Sequence, residues 1–334
     1  MTELNAKDIF KILENPDNYK NINNFIITTH INPDGDAIGS ALGMFELLIL
    51  LNKKVRIINI SPTPDELKFL DKNNIIELFD SEKHSGLFNR NTCTIIVDLN
   101  DPKRLGKIGE LCLSSGEIIV IDHHLFPKVF ANHYFMDVNS ASTAEMIWKI
   151  WQESKQSLSK LASDAIYVGI MTDTGSFRYD RTVAQTFRIC ADLLDHGADP
   201  EYLYNMIYNR NSYVGLKLLG VALNSIELHY DGKLAIMPLP KKIFKETGAS
   251  EEDTEGFSSQ GLKIEGVKVA ITITEMASRN ELRISFRSRD GISIRELAEE
   301  FGGGGHGYAS GARAKNSDFD EIKAKLIESA KVLF

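Results

Sequence analysis

Histidines and aspartates in this chain gather in short groups, each directly after an apolar run. His30-Ile-Asn-Pro-Asp34-Gly-Asp36 follows the apolar residues 25–29 and precedes a helical pattern that begins near Ala37. Asp98 closes the run Thr94-Ile-Ile-Val97, Asp122-His123-His124 closes the run 117–121, and Thr172-Asp173-Thr174-Gly175 follows residues 167–171. A lone aspartate in a turn is ordinarily a cap. The full H-x3-D-x-D set between a strand and a helix, joined by carboxylates after three other apolar runs, predicts a site. Adjacent histidines point the same way, because each ring needs partners for its nitrogens and both are hard to bury. Four gathered carboxylates (Asp34, Asp36, Asp98, Asp173) would raise one another's pKa unless something cancelled their charge. Two divalent cations would do so. Oxygen and imidazole donors without sulfur suit Mn²⁺ best, with Mg²⁺, Co²⁺ and Fe²⁺ as the other ions for such a set. Two metals about 3.5–4 Å apart are the usual apparatus for phosphate-ester hydrolysis, since they generate a hydroxide and clamp the phosphoryl group. The residues therefore predict a two-metal phosphoesterase.

The elements that must carry these groups follow from the pattern. β-branched runs at 25–29, 54–60, 92–98, 117–122 and 166–172 alternate with helical patterns at 37–51, 143–152 and 182–194. That texture predicts an α/β domain, its sheet mostly parallel with helices on both faces. Such sheets bind ligands at the carboxyl ends of their strands, where the polar groups sit. Gly197-Ala-Asp-Pro200 ends the region, and 201–227 reads as a helical connector with a break around 209–212. Beyond it, strands at 233–238, 267–274 and 281–289, a short helix near 294–301, a glycine-rich loop and a terminal helix at 318–333 predict a smaller α+β C-terminal domain. The expected division is 1–198, 199–227 and 228–334.

Composition bounds the rest. A length of 334 residues suggests two domains. Lys and Arg number 38 against 46 Asp and Glu, a net charge of −8, so bulk electrostatics do not hold nucleic acid here. An anionic substrate must meet local basic groups or metal ions. Cys93, Cys112 and Cys190 form no CxxC pair, which excludes a disulfide scaffold and a thiolate zinc site. No apolar run is long enough to span a bilayer and no signal-peptide pattern opens the chain. A cytoplasmic protein is expected, with no membrane association, no obligatory protein partner and a homodimer left open.

Taken together, His30…Asp34…Asp36, Asp98, Asp122-His123-His124 and Asp173 resemble the motifs of the DHH phosphoesterase superfamily, in order and spacing. Ala141-Ser-Thr-Ala-Glu145 resembles a further segment of that family. Phe301-Gly-Gly-Gly-Gly-His306-Gly-Tyr-Ala-Ser-Gly311 resembles the GGGH motif of the small DHH-associated domain, with Ser310 where alanine is usual. The resemblance covers roughly residues 10–330 and is strongest to the nanoRNase/pAp-phosphatase branch. It implies hydrolysis of oligoribonucleotides of a few nucleotides, extending to 3′-phosphoadenosine 5′-phosphate and linear dinucleotides. It assigns His30 and Asp34 to one metal, Asp36, His123 and Asp173 to the other, and Asp98 to a bridge. It also implies that Asp122 orients a histidine and that His124 faces substrate and protonates the leaving oxygen.

Gly303, Gly304 and Gly305 would let backbone N–H groups approach an anion, and His306 could donate to a phosphate or stack on a base. Arg283 and Arg287 share one strand face and supply the local basic patch, the resemblance placing a substrate-phosphate arginine at Arg287. Arg178, just after the fourth motif, is a further candidate. The rival readings are a pyrophosphatase or exopolyphosphatase, a RecJ-type exonuclease, and a non-catalytic nucleotide sensor. The GGGGH segment argues against the first, the absence of further nucleic-acid-binding domains against the second, and the complete ligand set against the third.

Overall fold

The computed structural model describes residues 4–14, 22, 24–99, 101–125, 128–254, 256–276 and 280–334, with only the backbone of His306. It divides into two compact units that meet in sequence at Arg210 and Asn211. In the first unit the order is α1 (Ala6–Glu14), β1 (Asn24–Thr28), α2 (Gly35–Leu50), β2 (Lys54–Asn59), β3 (Ile76–Leu78), α3 (Ser81–His84), β4 (Thr92–Val97), α4 (Ile108–Cys112), β5 (Glu117–Asp122), β6 (His133–Met136), α5 (Thr143–Ser154), α6 (Lys160–Asp173), α7 (Ala184–Asp195) and α8 (Pro200–Tyr208).

Its sheet runs β3-β2-β1-β4-β5-β6 and every pair is parallel. Side chains on a strand alternate between faces, and here that alternation divides two cores. Phe25, Ile27, Ile57, Ile95, Val97, Ile119 and Ile121 pack with α1, α2, α5 and α6. Ile26, Ile58, Ile96, Ile118 and Val120 pack on the opposite side with Leu105, Ile108 and Cys112. The strand order reverses between β1 and β4, which opens a crevice at the carboxyl ends of these two strands.

One expected strand is not a strand. Residues 166–172 lie in α6, which is buried on nearly every side from Ala162 to Met171. A helix wrapped in apolar neighbours loses its amphipathic signature, and Ile166, Val168 and Ile170 then read as β-branched strand residues. Glycine brings α6 close to its neighbours. A Cβ on Gly39 of α2 would lie 2.3 Å from the Ala165 carbonyl oxygen, and one on Gly169 would lie 2.5 Å from the Ala144 Cβ.

The second unit contains α9 (Tyr213–Asn224), β7 (Glu227–His229), β8 (Leu234–Leu239), α10 (Lys241–Thr247), α11 (Phe257–Gly261), β9 (Val269–Glu275), β10 (Glu281–Ser288), α12 (Arg295–Glu300), β11 (Gly304–His306), β12 (Ala309–Lys315) and α13 (Phe319–Ala330). Its sheet runs β11-β12-β10-β9-β8-β7, with β8 and β9 parallel and the other pairs antiparallel. On β10, Leu282, Ile284 and Phe286 are buried while Arg283, Ser285 and Arg287 are half-buried, the alternation expected. The segment 199–227 is helical and breaks where expected, but α8 belongs to the first unit and α9 to the second.

The glycine-rich stretch departs from its reading as a loop. Gly304–His306 form an edge strand paired with β12, Gly304 opposite Gly311 and Gly305 opposite Ser310. Gly305 takes φ +143°, and a Cβ there would sit 2.6 Å from the Ala309 carbonyl oxygen. Tight hairpin pairing therefore accounts for that glycine.

Candidate metal centre

The loop after β1 holds His30, Asp34 and Asp36 in three different settings. His30 Nδ1 donates to the Ile31 carbonyl at 2.9 Å, which leaves Nε2 3.4 Å from Asp98 Oδ2. Asp34, and not Asp36, is the N-cap of α2: its Oδ1 accepts from the Asp36 and Ala37 N–H groups, each at 3.1 Å. Asp36 lies in the first turn of α2 and is buried. Its Oδ1 accepts from Ala144 N at 2.8 Å and its Oδ2 from Thr143 N at 2.7 Å, so the N-terminus of α5 grips both oxygens.

Asp98 follows β4 with φ +58°, the left-handed region that aspartate tolerates better than most residues. Its Oδ2 faces His30, while Oδ1 accepts from Thr143 Oγ1 at 3.1 Å and lies 3.8 Å from His123 Nε2. His123 is buried after β5, with Nε2 3.3 Å from Asp173 Oδ2 and 3.8 Å from Asp36 Oδ2. Its Nδ1 lies 3.3 Å from the Ser140 carbonyl, the acceptor for a ring that keeps Nε2 free as a ligand. Asp173 arrives from the C-terminus of α6, not from a strand end.

His124 turns outward, its side chain 41% exposed against 2% for His123. Its Nδ1 donates to the wholly buried Asp122 at 2.7 Å. Asp122 thus orients His124 directly.

These contacts produce three trios whose ligating atoms lie within 4.8 Å of one another: His30, Asp34 and Asp98; Asp36, His123 and Asp173; and Asp98, His123 and His124. Electrostatics agree with a cation site. Burial, then the charges of Asp98, Asp173 and Asp34, hold the Asp36 carboxyl well above its usual range. Burial, opposed by His123 and reinforced by Asp98 and Asp34, lifts Asp173 to about 6. For Asp98, burial is outweighed by the hydrogen bond from His30 and the nearby imidazoles, and its pKa falls. The Asp122 hydrogen bond outweighs burial at His124 and lifts it to about 8. At His30 burial acts downward, but the bonds to Asp98 and Ile31 prevail and the pKa rises. Carboxylates crowded together, two of them buried, are what divalent cations stabilise. The donor set fits them.

Most of the other expected residues are engaged by their own surroundings. Arg283 donates to the Glu251 carbonyl at 3.0 Å and to Thr254 Oγ1, which ties β10 to the 3₁₀ turn of the second unit. Arg287 is half-buried, and among the described residues its Nη1 donates to the Phe286 carbonyl at 2.9 Å. Gly303 N–H closes the end of α12 on the Ala298 carbonyl and so does not face outward. The His306 side chain lies outside the described residues. Arg178 is exposed and donates through Nε to the Gly175 carbonyl at 2.6 Å. The sequence does not single out Thr143 within the segment 141–145, yet its N–H and hydroxyl hold Asp36 and Asp98. Nor does the sequence single out Arg181, whose Nη1 lies 3.2 Å from His123 Nδ1.

Comparison with known proteins agrees with this geometry. The family model described as DHH family, N-terminal domain, matches residues 24–170, and that of the DHHA1 domain matches 231–331. The chain is 29% identical to the bifunctional oligoribonuclease and PAP phosphatase NrnA of Thermus thermophilus, over 97% of this chain and 92% of that protein. It is 27% identical to the Bacillus subtilis protein of the same name, over 90% and 93%. A crystal structure of an exopolyphosphatase-related protein from Bacteroides fragilis superposes with a TM-score of 0.87 at 29% identity, covering 98% of this chain and 97% of that one. With the ligand-bearing loops in place on the first sheet and both family models matched in order, the chain belongs to the DHH phosphoesterase family and carries its DHHA1 domain.

Proposed function

We propose that the protein is a cytoplasmic, divalent-cation-dependent hydrolase of oligoribonucleotides a few nucleotides long, acting also on 3′-phosphoadenosine 5′-phosphate and linear dinucleotides. The observation that carries this reading is the placing of Asp98, with one oxygen toward His30 and the other toward His123. Similarity over nearly the whole chain to two proteins named oligoribonuclease and PAP phosphatase supports the substrate class.

In this reading His30 and Asp34 hold one cation, Asp36, His123 and Asp173 a second, and Asp98 serves both. When bound, such ions, Mn²⁺ being the best match to the donors, supply Lewis acidity that activates water and offsets phosphate charge. Thr143 and Ala144 fix Asp36, so its oxygens need not reorganise. His124, kept protonated at neutral pH by Asp122, passes a proton from Nε2 to the leaving oxygen. Arg287 keeps guanidinium donors for a second phosphate.

A second reading has one specific observation behind it, the full-length match to a protein titled exopolyphosphatase-related. The two separate in a single assay. With Mn²⁺, the specificity constants for a dinucleotide, a 5-mer and 3′-phosphoadenosine 5′-phosphate should exceed those for pyrophosphate, polyphosphate and a 24-mer. The reverse order would replace the proposal with the second reading. Arg287→Ala should lower the dinucleotide constant by about 10- to 100-fold, the scale of one charge-assisted contact.

A further inference from the structure

We infer that Tyr179, with Tyr204 and Tyr208, forms a nucleobase-stacking subsite on the first unit, continuous with the carboxylate cluster. The inference rests on the oligoribonucleotide reading above and adds to it where a base lies.

The loop after Asp173 is strained. Gly175, Ser176 and Phe177 take φ of +56°, +58° and +65°, a left-handed run in which two residues carry side chains. Such conformations persist only where the surroundings impose them, and they concentrate at functional sites. Thr174 imposes this one: its hydroxyl accepts from Phe177 N at 3.1 Å, and its carbonyl accepts from Arg178 N at 3.0 Å and Tyr179 N at 3.1 Å. Phe177 is turned inward, its ring 5.9 Å from that of Tyr167 and 5.5 Å from that of Phe187.

The chain thereby doubles back over Gly175. A Cβ on that glycine would lie 2.5 Å from Tyr179 Cζ, so the ring rests on the glycine itself. One residue separates Gly175 from Asp173, a span of about 7 Å at most. Tyr208 hydrogen-bonds the Ser176 side chain within this loop, and its phenol feels the charges of Tyr204, Tyr179 and Arg178. The rings of Tyr204 and Tyr208 are 4.9 Å apart.

None of these rings is sunk in the core. Tyr179 is 57% exposed, Tyr204 42% and Tyr208 36%. Exposed aromatic rings beside basic groups form a general platform for single-stranded RNA, because every base offers a π-face and the cations follow the phosphates. Arg178 and Arg181 stand on either side of Tyr179 in sequence, and Arg181 reaches the His123 ring. This charge pattern favours a nucleotide over an apolar protein partner.

The test is steady-state kinetics with the dinucleotide ApA and Mn²⁺. Tyr179→Ala and Tyr208→Ala should each raise KM about 10- to 100-fold, the range measured for a lost base–aromatic stack. The effect should fall on KM more than on kcat, the mark of binding that is uniform along the reaction. Tyr179→Phe keeps the ring and should keep the wild-type KM. An equal rise in KM with a ribose phosphodiester lacking bases would overturn the inference. So would an unchanged KM for ApA accompanied by a change in oligomeric mass, which would make the face a protein interface. If wild-type protein turns over ApA but neither alanine variant alters its KM, the inference fails alone. If wild-type protein ignores ApA while cleaving pyrophosphate, the substrate reading fails and the inference with it.

Discussion

Asp98 and His124 carry roles that substitution can separate. Asp98→Ala removes the carboxylate that faces both histidine-bearing loops, so turnover should be abolished and the metal content per chain should fall. Retention of more than about a tenth of wild-type activity at saturating Mn²⁺ would be inconsistent with a bridge, given the rate loss that even one lost transition-state contact brings. His124→Ala should keep its metal, measured by elemental analysis, and slow the chemical step by roughly 10²–10⁴-fold, the size of a general-acid contribution. His124 also belongs to a ligand trio with Asp98 and His123. Loss of metal, with rescue by excess Mn²⁺, would therefore make it a ligand. The dyad has a pH signature as well. If His124 is the general acid, its protonated form is the working one, and the rate should fall as pH rises through its pKa. Asp122→Asn removes the bond that raises that pKa, and the alkaline limb should move to lower pH.

The candidate ligands are placed by elements, and one helix pair carries two of them. Gly39 lets α2 approach α6, and these helices bear Asp36 and Asp173. Gly39→Leu should overpack this contact, cost about 1–3 kcal/mol, and lower thermal stability and metal affinity together. An unchanged melting temperature would show that the helices can part freely. At this scale the sequence was legible where a strand ended in polar residues. The runs before His30, Asp98 and Asp122 are strands β1, β4 and β5, and the parallel sheet covered on both faces is as expected. Asp173 does lie beside Asp36 and His123, but on a helix and not after a strand, because a helix buried all round shows no 3.6-residue rhythm. Arg283 and the Gly303 N–H were legible as chemistry and not as geometry, since only the fold reveals that Thr254 and Ala298 occupy them. The backbone N–H of Ala144 has no side-chain signature at all.

For the molecule as a whole, the metal-free protein should respond to pH with a definite sign. Asp36 and Asp173 have folded pKa values above their unfolded ones, so their ionisation destabilises the folded state, an effect relieved as pH falls through the folded values. His30 and His124 are also raised; the stability they add is complete below their unfolded pKa and is lost as pH rises through the folded one, about 8 for His124. Asp98 runs oppositely, but its contribution is lost only in acid, near and below its lowered value. With chelator present, the melting temperature should therefore rise as pH falls from about 8 to about 6, each kcal/mol being worth about 2–4 °C for a unit of this size. Mn²⁺ should flatten that dependence by taking over the charge compensation. A melting temperature that falls over the same interval would mean that the carboxylates are not crowded in the metal-free state. Among the described residues no helix is long and apolar enough to cross a membrane.

The ligands are spread along the chain from His30 to Asp173, yet all of them lie within the first unit. During synthesis on the ribosome, the amino-terminal part of a chain folds first. The cluster of candidate ligands cannot be completed until α6 has emerged, so a nascent chain shorter than about 173 residues lacks the Asp173 carboxylate. Once that helix docks, the cluster of the first unit is complete while the second unit is still being translated.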